Sequence, residues 1–216
     1  MPPLLLGSSS ARRRALIAAI GLSFEVARPD VDESPLPAEA PDAYVLRVCR
    51  AKAMALPPER LMPETYVLTA DTTVVLDGAI IGKPETPAEA RHMLRALRGR
   101  AHQVYTGLAL RDFATGEIQT DLVVTTVHMR HYSDEEIEAY IATGEPFDKA
   151  GGYAVQDARF KPVERVEGCL SNVIGLPLCA LSAMLRAKGV AVPKAPSCSA
   201  QNLPCLVDIR AVDGAR

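Results

Sequence analysis

The chain has no tryptophan, and aromatic residues make up only 5% of its 216 positions. That leaves little material for the stacking platforms that hold single-stranded nucleic acid. A clear excess of positive charge is also missing, because the formal net charge is −2. Non-specific nucleic-acid binders are usually basic, so a nucleic-acid partner is not expected. No apolar run approaches the roughly 20 residues of a membrane helix. In the first residues Arg12, Arg13 and Arg14 follow Leu4, Leu5 and Leu6. A secretory signal has the reverse order, charge before apolar stretch. The five cysteines (49, 169, 179, 198 and 205) form no CxxC pair, which reads as reduced thiols in a cytoplasmic protein. Neither GxxxxGK[ST] nor GxGxxG occurs, so neither a P-loop nor a dinucleotide-binding turn is expected. His128 and His131, three apart at a strand end, do not share a face and are set aside as metal ligands.

What is present describes an ordinary globular chain, 48% hydrophobic and 23% charged, long enough for a sizeable core. Leu4 to Leu6 reads as a buried strand running into Gly7-Ser8-Ser9-Ser10. A helix with Leu16, Ile17 and Ile20 on its apolar face follows and stops at Gly21. Further strands are expected over Ser23 to Val26, Tyr66 to Leu76, Ala79 to Gly82, Gln103 to Asp112, Ile118 to Arg130 and Val163 to Val166. Helices are expected over Ala38 to Leu56, Pro87 to Leu97, from the capping box Ser133–Glu136, and over Pro177 to Ala187. Strands and helices mix throughout, so the class is α/β, with a long bent mixed sheet and a cleft. Residues 1–190 are expected to form one functional unit. From Val192 the prolines at 193, 196 and 204 break every period, and 191–216 reads as a dispensable tail.

Five segments could carry chemistry. Ser8, Ser10, Arg12 and Arg13 lie between a strand and a helix. The free N–H groups of a helix start and nearby guanidinium forks suit phosphate, although a serine N-cap with solvated arginines explains the same residues. Asp30-Val31-Asp32-Glu33 could hold a hard cation or be a polar loop. Asp71 lies in an apolar strand, where a carboxylate is costly unless paired or metal-bound; the alternative is a strand-end cap. Lys83 in Gly82-Lys83-Pro84 and Lys149 in Asp148-Lys149-Ala150-Gly151 each place an ammonium in a Gly/Pro turn that phosphate could approach, or are surface turns.

Taken in order, these segments resemble the Maf family. The matching blocks are Ser8-x-Ser10-x-Arg12-Arg13, Asp30-x-Asp32-Glu33, Lys52, Ala70-Asp71-Thr72, Gly82-Lys83-Pro84 and Val104-Tyr105-Thr106-Gly107. They continue with Asp148-Lys149-Ala150-Gly151 and Ser171-Asn172-Val173-x-Gly175-Leu176-Pro177. Together they cover residues 4 to about 188, with Gly7 and Ala11 standing where the family usually has Ala and Pro. The resemblance implies an elongated α/β fold of two lobes with a central cleft, related to the inosine-triphosphate pyrophosphatases. It implies hydrolysis of a nucleoside triphosphate to the monophosphate and pyrophosphate, a divalent Mg²⁺ or Mn²⁺, and a homodimer. It also implies roles: Asp71 as general base, Glu33 and Asp71 on the metal, and Ser8, Ser10, Arg12, Arg13, Lys52, Thr72, Lys83 and Lys149 on the substrate. Gln156, in Gly152-Tyr153-Ala154-Val155-Gln156, is similar to the dTTP/UTP branch of the family, whereas another branch favours 7-methyl-GTP. A side-chain amide offers one donor and one acceptor edge, matching the edge that thymine and uracil share. The competing class is a non-catalytic nucleotide-binding regulator of septum formation.

Overall fold

The structure, a computed structural model, describes residues 3–56, 61–194 and 196. Cys198, Cys205 and most of the expected tail lie outside the described residues. Seven strands form one sheet: β1 (Leu4–Gly7), β2 (Glu25–Ala27), β3 (Tyr66–Leu76), β4 (Ala79–Ile81), β5 (Ala101–Asp112), β6 (Ile118–Met129) and β7 (Val163–Glu167). Their order is β2-β1-β3-β5-β6-β7, with β4 added to β3. The helices are α1 (Ala11–Ala19), α2 (Pro41–Met54), α3 (Pro87–Leu97), α4 (Asp134–Ile141), α5 (Leu170–Ile174) and α6 (Leu178–Ala187).

Local chemistry explains the boundaries. Pro41 fits the first turn of α2, where no N–H is needed, and Ala38, expected inside that helix, has φ 58° and precedes it. The capping box at Ser133 and Glu136 forms as the spacing predicts. Asp77 and Gly78 both take positive φ (52° and 79°), the requirement of the tight turn between β3 and β4. Two 3-10 turns, Glu145–Asp148 and Ala150–Gly152, and the short α5 have no periodic signal and were not foreseen.

β3 organises the molecule. Its even-numbered side chains divide between two cores. Leu68 and Ala70 join Leu6, Leu16, Ile17 and Leu181 under α1, α5 and α6. Val74 and Leu76 join Leu94, Leu97, Val127 and Ile137 under α3 and α4. The opposite face of the sheet is covered by α2, with Cys49 and Ala53 against Leu5, Val67 and Ala109. Beyond α6 the chain stays on the first core. Val190 is buried, Val192 packs beside it, and the Lys194 N–H donates to the Ile20 carbonyl at 3.0 Å. A cut after Gly189 therefore removes packed residues.

The sheet has a break at its middle. On one side of β3, β1 pairs with residues 66–68 in parallel and β4 pairs with 74–76 antiparallel. Residues 69–73 between them have no strand on that side among the described residues, while β5 covers the other side throughout. The gap falls between the two cores and is the floor of the cleft.

Close approach of α2 to the sheet depends on Gly107 of β5. A Cβ there would stand 2.7 Å from the Val45 carbonyl oxygen and 2.9 Å from its carbon. Gly107→Ala should therefore lift α2 and cost about 1–3 kcal/mol, the usual range for overpacking. Each kcal/mol appears as a fall of about 2–4 °C in Tm for a chain of this size. Gly82, with open space around its Cα, should accept alanine within about 0.5 kcal/mol. Equal Tm values for the two variants would show that the helix seat is not tight.

Candidate active site

The break in the sheet opens into a cavity of about 1000 Å³ lined from both lobes. Ser8 to Arg13, Glu33, Lys52, Asp71, Thr72, Lys83, Lys149 and Gln156 all line it. Every residue singled out as a functional candidate from the resemblance is therefore brought to one cavity, from segments as far apart as positions 8 and 156.

Strand alternation sends Asp71 and Thr72 to opposite faces at the break. Asp71 meets α2. Its carboxylate accepts from Lys52 Nζ at 2.8 Å, and the same ammonium pairs with Glu33 at 2.8 Å. Lys52 and Asp71 are buried, whereas the Glu33 side chain is 49% exposed. Two further contacts fix the approach of these elements. Thr69 Oγ1 donates to the Cys49 carbonyl at 2.6 Å, and the Tyr44 hydroxyl donates to the Glu33 carbonyl at 2.9 Å. Burial raises the Asp71 pKa above its ordinary value, with Lys52 and then Arg13 opposing that shift. A carboxylate in this setting is a better proton acceptor than one in water.

Thr72 faces α1 on the other side. Arg13 Nη2 donates to Thr72 Oγ1 at 3.1 Å, Nε to the Gly175 carbonyl at 2.9 Å, and Nη1 to Ser8 Oγ at 3.4 Å. Behind Thr72, Thr106 Oγ1 stands at 2.9 Å and itself bonds the Asn172 carbonyl. Asn172, fully buried, donates to the Val104 carbonyl and Thr125 Oγ1. The Ser171–Pro177 block thus secures the arginine through its Gly175 and Asn172 carbonyls, and its Val173 and Ile174 also line the cavity. Burial lowers the Arg13 pKa, opposed first by Asp71; the guanidinium stays charged regardless, given its very high ordinary value.

Ser10 is the N-cap of α1, its hydroxyl accepting the Arg13 N–H at 3.4 Å. The bland reading of that serine is thus realised, and its side chain lines the cavity from the cap position. Asp32 accepts the Ser34 N–H at 2.8 Å and is a turn residue. Lys83 is exposed at the cavity mouth.

Arg12 and Lys149 are not free cations. Asp148 accepts from Arg12 Nη1 at 2.7 Å and from Lys149 Nζ at 2.5 Å, and Lys149 also reaches the Glu145 carbonyl at 2.6 Å. Burial disfavours the Asp148 carboxylate, but the bonds from Lys149 and Arg12 hold its pKa below the ordinary value. Gln156 is half-buried, and its amide makes no hydrogen bond to the described residues, so it does not tie down its own loop. Thr106, Asn172, Tyr44 and Asp148 are the site's supporting residues; the motif blocks contained three of them, but only tertiary packing reveals what they support.

Among the described residues no group of three or more His, Cys, Asp or Glu is arranged for a metal. Mg²⁺ seldom needs one: it takes one or two carboxylates and completes its shell with phosphate and water. Glu33 and Asp71, brought together on one ammonium, fit that requirement. The thiols depart from expectation. Cys49 is a free thiol, with burial pushing it up to about 12, but Cys179 is disulfide-bonded. Spacing along the chain carries no signal for such a pairing. No helix of the described residues is long and apolar enough to cross a membrane.

Fold and cleft together define an α/β protein that gathers cations from two lobes around a buried carboxylate at a break in its sheet, an arrangement suited to a polyanion. Residues 3–188 match the family of Maf-like proteins, and the chain belongs to that family. It is 47% identical over 194 residues to the dTTP/UTP pyrophosphatase of Anaeromyxobacter dehalogenans (strain 2CP-C), covering 89% of this chain and 97% of that one. To the dTTP/UTP pyrophosphatase of Geotalea uraniireducens (strain Rf4) it is 46% identical over 186 residues, 86% of this chain and 95% of that one. The protein of the same name from Burkholderia pseudomallei (strain 1710b) is 46% identical over 200 residues, 88% and 95% of the two chains. Among solved structures, the Staphylococcus aureus Ham1 protein aligns with 59% of this chain and 71% of its own at 15% identity and a TM-score of 0.40.

Arg13 makes three side-chain bonds within the protein. Arg13→Lys keeps the charge and loses the fork, leaving the Gly175 carbonyl and Thr72 hydroxyl short of a donor. The ligand-free protein should lose about 1–3 kcal/mol, seen as a lower midpoint in urea. An unchanged midpoint would mean that these bonds do not form in solution.

Proposed function

We propose that the protein is a nucleoside triphosphate pyrophosphatase that cleaves dTTP and UTP between the α- and β-phosphates, releasing the monophosphate and pyrophosphate. The observation that carries this reading is the Lys52–Asp71–Glu33 cluster, set at the break in β3 and facing Arg13 across one cavity. The names of relatives that share almost half of its residues support it.

In this reading the triphosphate is gripped by Arg13, Lys83, Arg12 and Lys149, with Ser8, Ser10 and Thr72 beside them. Glu33 and Asp71 would hold a divalent cation, Mg²⁺ or Mn²⁺, which when bound supplies charge neutralisation at the phosphates and acidifies a water. Asp71 accepts the proton of the attacking water, and its raised pKa suits it to that role. Lys52 keeps the Asp71 carboxylate ionised until it is needed. Gln156, with an unengaged amide, reads the donor–acceptor edge of a pyrimidine. No covalent intermediate is required. Residues 1–190 act as one catalytic unit. The same reading sets the enzyme in the cytoplasm as a homodimer with no nucleic-acid partner.

The reading is tested by pyrophosphate release from dTTP, UTP, GTP and 7-methyl-GTP. The two pyrimidine substrates should lead in kcat/KM and differ little from each other. Preference for 7-methyl-GTP would move the protein to the other branch, and no release from any of the four would favour a regulator.

Asp71→Asn should lower turnover at least about 100-fold, the lower end for loss of a general base. The pH dependence has a definite sign. Burial raises the Asp71 pKa above 3.8 in the fold, so activity should fall at low pH as Asp71 takes up its proton. The same shift means that the folded state binds this proton more tightly than the unfolded chain. Its contribution to stability is full below 3.8 and is lost as pH rises through the folded pKa. Near-normal turnover of Asp71→Asn at saturating metal would remove Asp71 from the chemistry.

A further inference from the structure

His102 and Tyr153 are a buried polar pair that the chemistry above does not use. His102 lies on β5, 3% exposed, and Tyr153 is 5% exposed. His102 Nε2 and the Tyr153 hydroxyl are 2.6 Å apart, with the rings edge to face at 5.3 Å and 82°. His102 Nδ1 is buried with no hydrogen-bond partner. A polar pair in an apolar core is costly, and one left partly unsatisfied costs more than an apolar replacement would. The second core around it, with Val104, Val127 and Met129, would accept such a replacement without loss of burial. Stability therefore does not account for the pair.

Its position in the chain suggests what does. Tyr153 follows Gly151 and Gly152, both at φ 71°, a conformation that by itself leaves a chain free to turn in many ways. The segment is pinned upstream by Gly151 N–H donating to the Gly82 carbonyl at 2.9 Å. Downstream, Asp157 Oδ1 accepts from Phe160 N–H at 2.6 Å and from Arg159 N–H at 3.0 Å. Between those pins, the Tyr153 hydroxyl and His102 Nε2 share a side-chain hydrogen bond, and the Tyr140 hydroxyl faces the Ala154 backbone. Gln156 stands three residues on, lining the cavity with no bond of its own.

We infer that the His102–Tyr153 pair positions the Gln156 amide, and so sets base discrimination. The inference rests on the proposed reading of Gln156 as the group that meets the base. His102 is a suitable anchor because burial, and then His128, drives its pKa down to about 4. It stays neutral throughout the working range, and the hydrogen bond keeps the same form. An amide that must present one donor and one acceptor to a flat edge tolerates little misplacement, and a shift of about 1 Å is enough to lose most of a directional bond.

The test compares Tyr153→Phe, which removes only a hydroxyl, with Gln156→Ala. The readout is the ratio of kcat/KM for dTTP to that for GTP, with turnover of inorganic tripolyphosphate as a base-free control. Tyr153→Phe should lower the ratio about tenfold, mostly through KM for dTTP, and leave the base-free substrate unchanged. In the Gln156→Ala background the same change should have no further effect on the ratio, the mark of two residues acting as one unit. His102→Gln keeps a hydrogen-bonding group near the position of Nε2 and should retain the ratio that His102→Leu loses; this arm also serves if Tyr153→Phe fails to fold. A ratio that survives Tyr153→Phe but collapses in Gln156→Ala overturns the positioning role alone. An equal fall for dTTP, GTP and tripolyphosphate assigns the pair to the fold and also overturns it. A ratio untouched by Gln156→Ala removes the reading of Gln156 and the inference with it.

Discussion

A carboxylate inside an apolar strand has to be met by positive charge, and in this protein the burden falls on the contact between Asp71 and Lys52. The contact requires a helix to deliver a lysine to the face of a sheet at one position. Gly107 lets α2 lie that close, the Thr69–Cys49 bond holds it, and Tyr44 carries the Glu33 backbone to the same place. Remove the closeness and the ammonium no longer reaches both carboxylates. The raised pKa of Asp71 follows from the same burial, so the feature that is costly for folding also strengthens the residue as a proton acceptor.

The break in the sheet is the second requirement. A strand paired on both sides offers ligands only its side chains, and those are packed against helices. By ending β1 at Gly7 and starting β4 only opposite Leu76, the chain leaves residues 69–73 of β3 uncovered between two separate cores. Each side then contributes charged cleft-lining groups: α1 brings Arg12 and Arg13, and the turns after α4 bring Asp148 and Lys149. The ion pairs of Asp148 with Arg12 and Lys149 join the two sides.

Much of this was legible along the chain. The strand at 66–76, the capping box at Ser133 and the exceptional character of Asp71 follow from local pattern and burial cost. Local pattern did not reach further. Lys52 is an ordinary helical lysine by sequence, and only the family resemblance marked it; its burial against Asp71 is a tertiary fact. Ser10 reads more readily as a cap than as a ligand, and the fold shows the cap. Thr106 and Asn172 sit in blocks whose order could be seen but whose purpose, steadying Arg13, needs three elements brought together. The disulfide at Cys179 left no trace in cysteine spacing. The two short 3-10 turns escaped because segments of three or four residues have no period to detect.

The central claim is that Asp71 directs water at the α-phosphate of a nucleoside triphosphate. It is tested most directly by hydrolysing dTTP in ¹⁸O-labelled water and locating the label by mass spectrometry. The account predicts one labelled oxygen in the nucleoside monophosphate and none in pyrophosphate. Label in pyrophosphate, or release of orthophosphate as the first product, would contradict it.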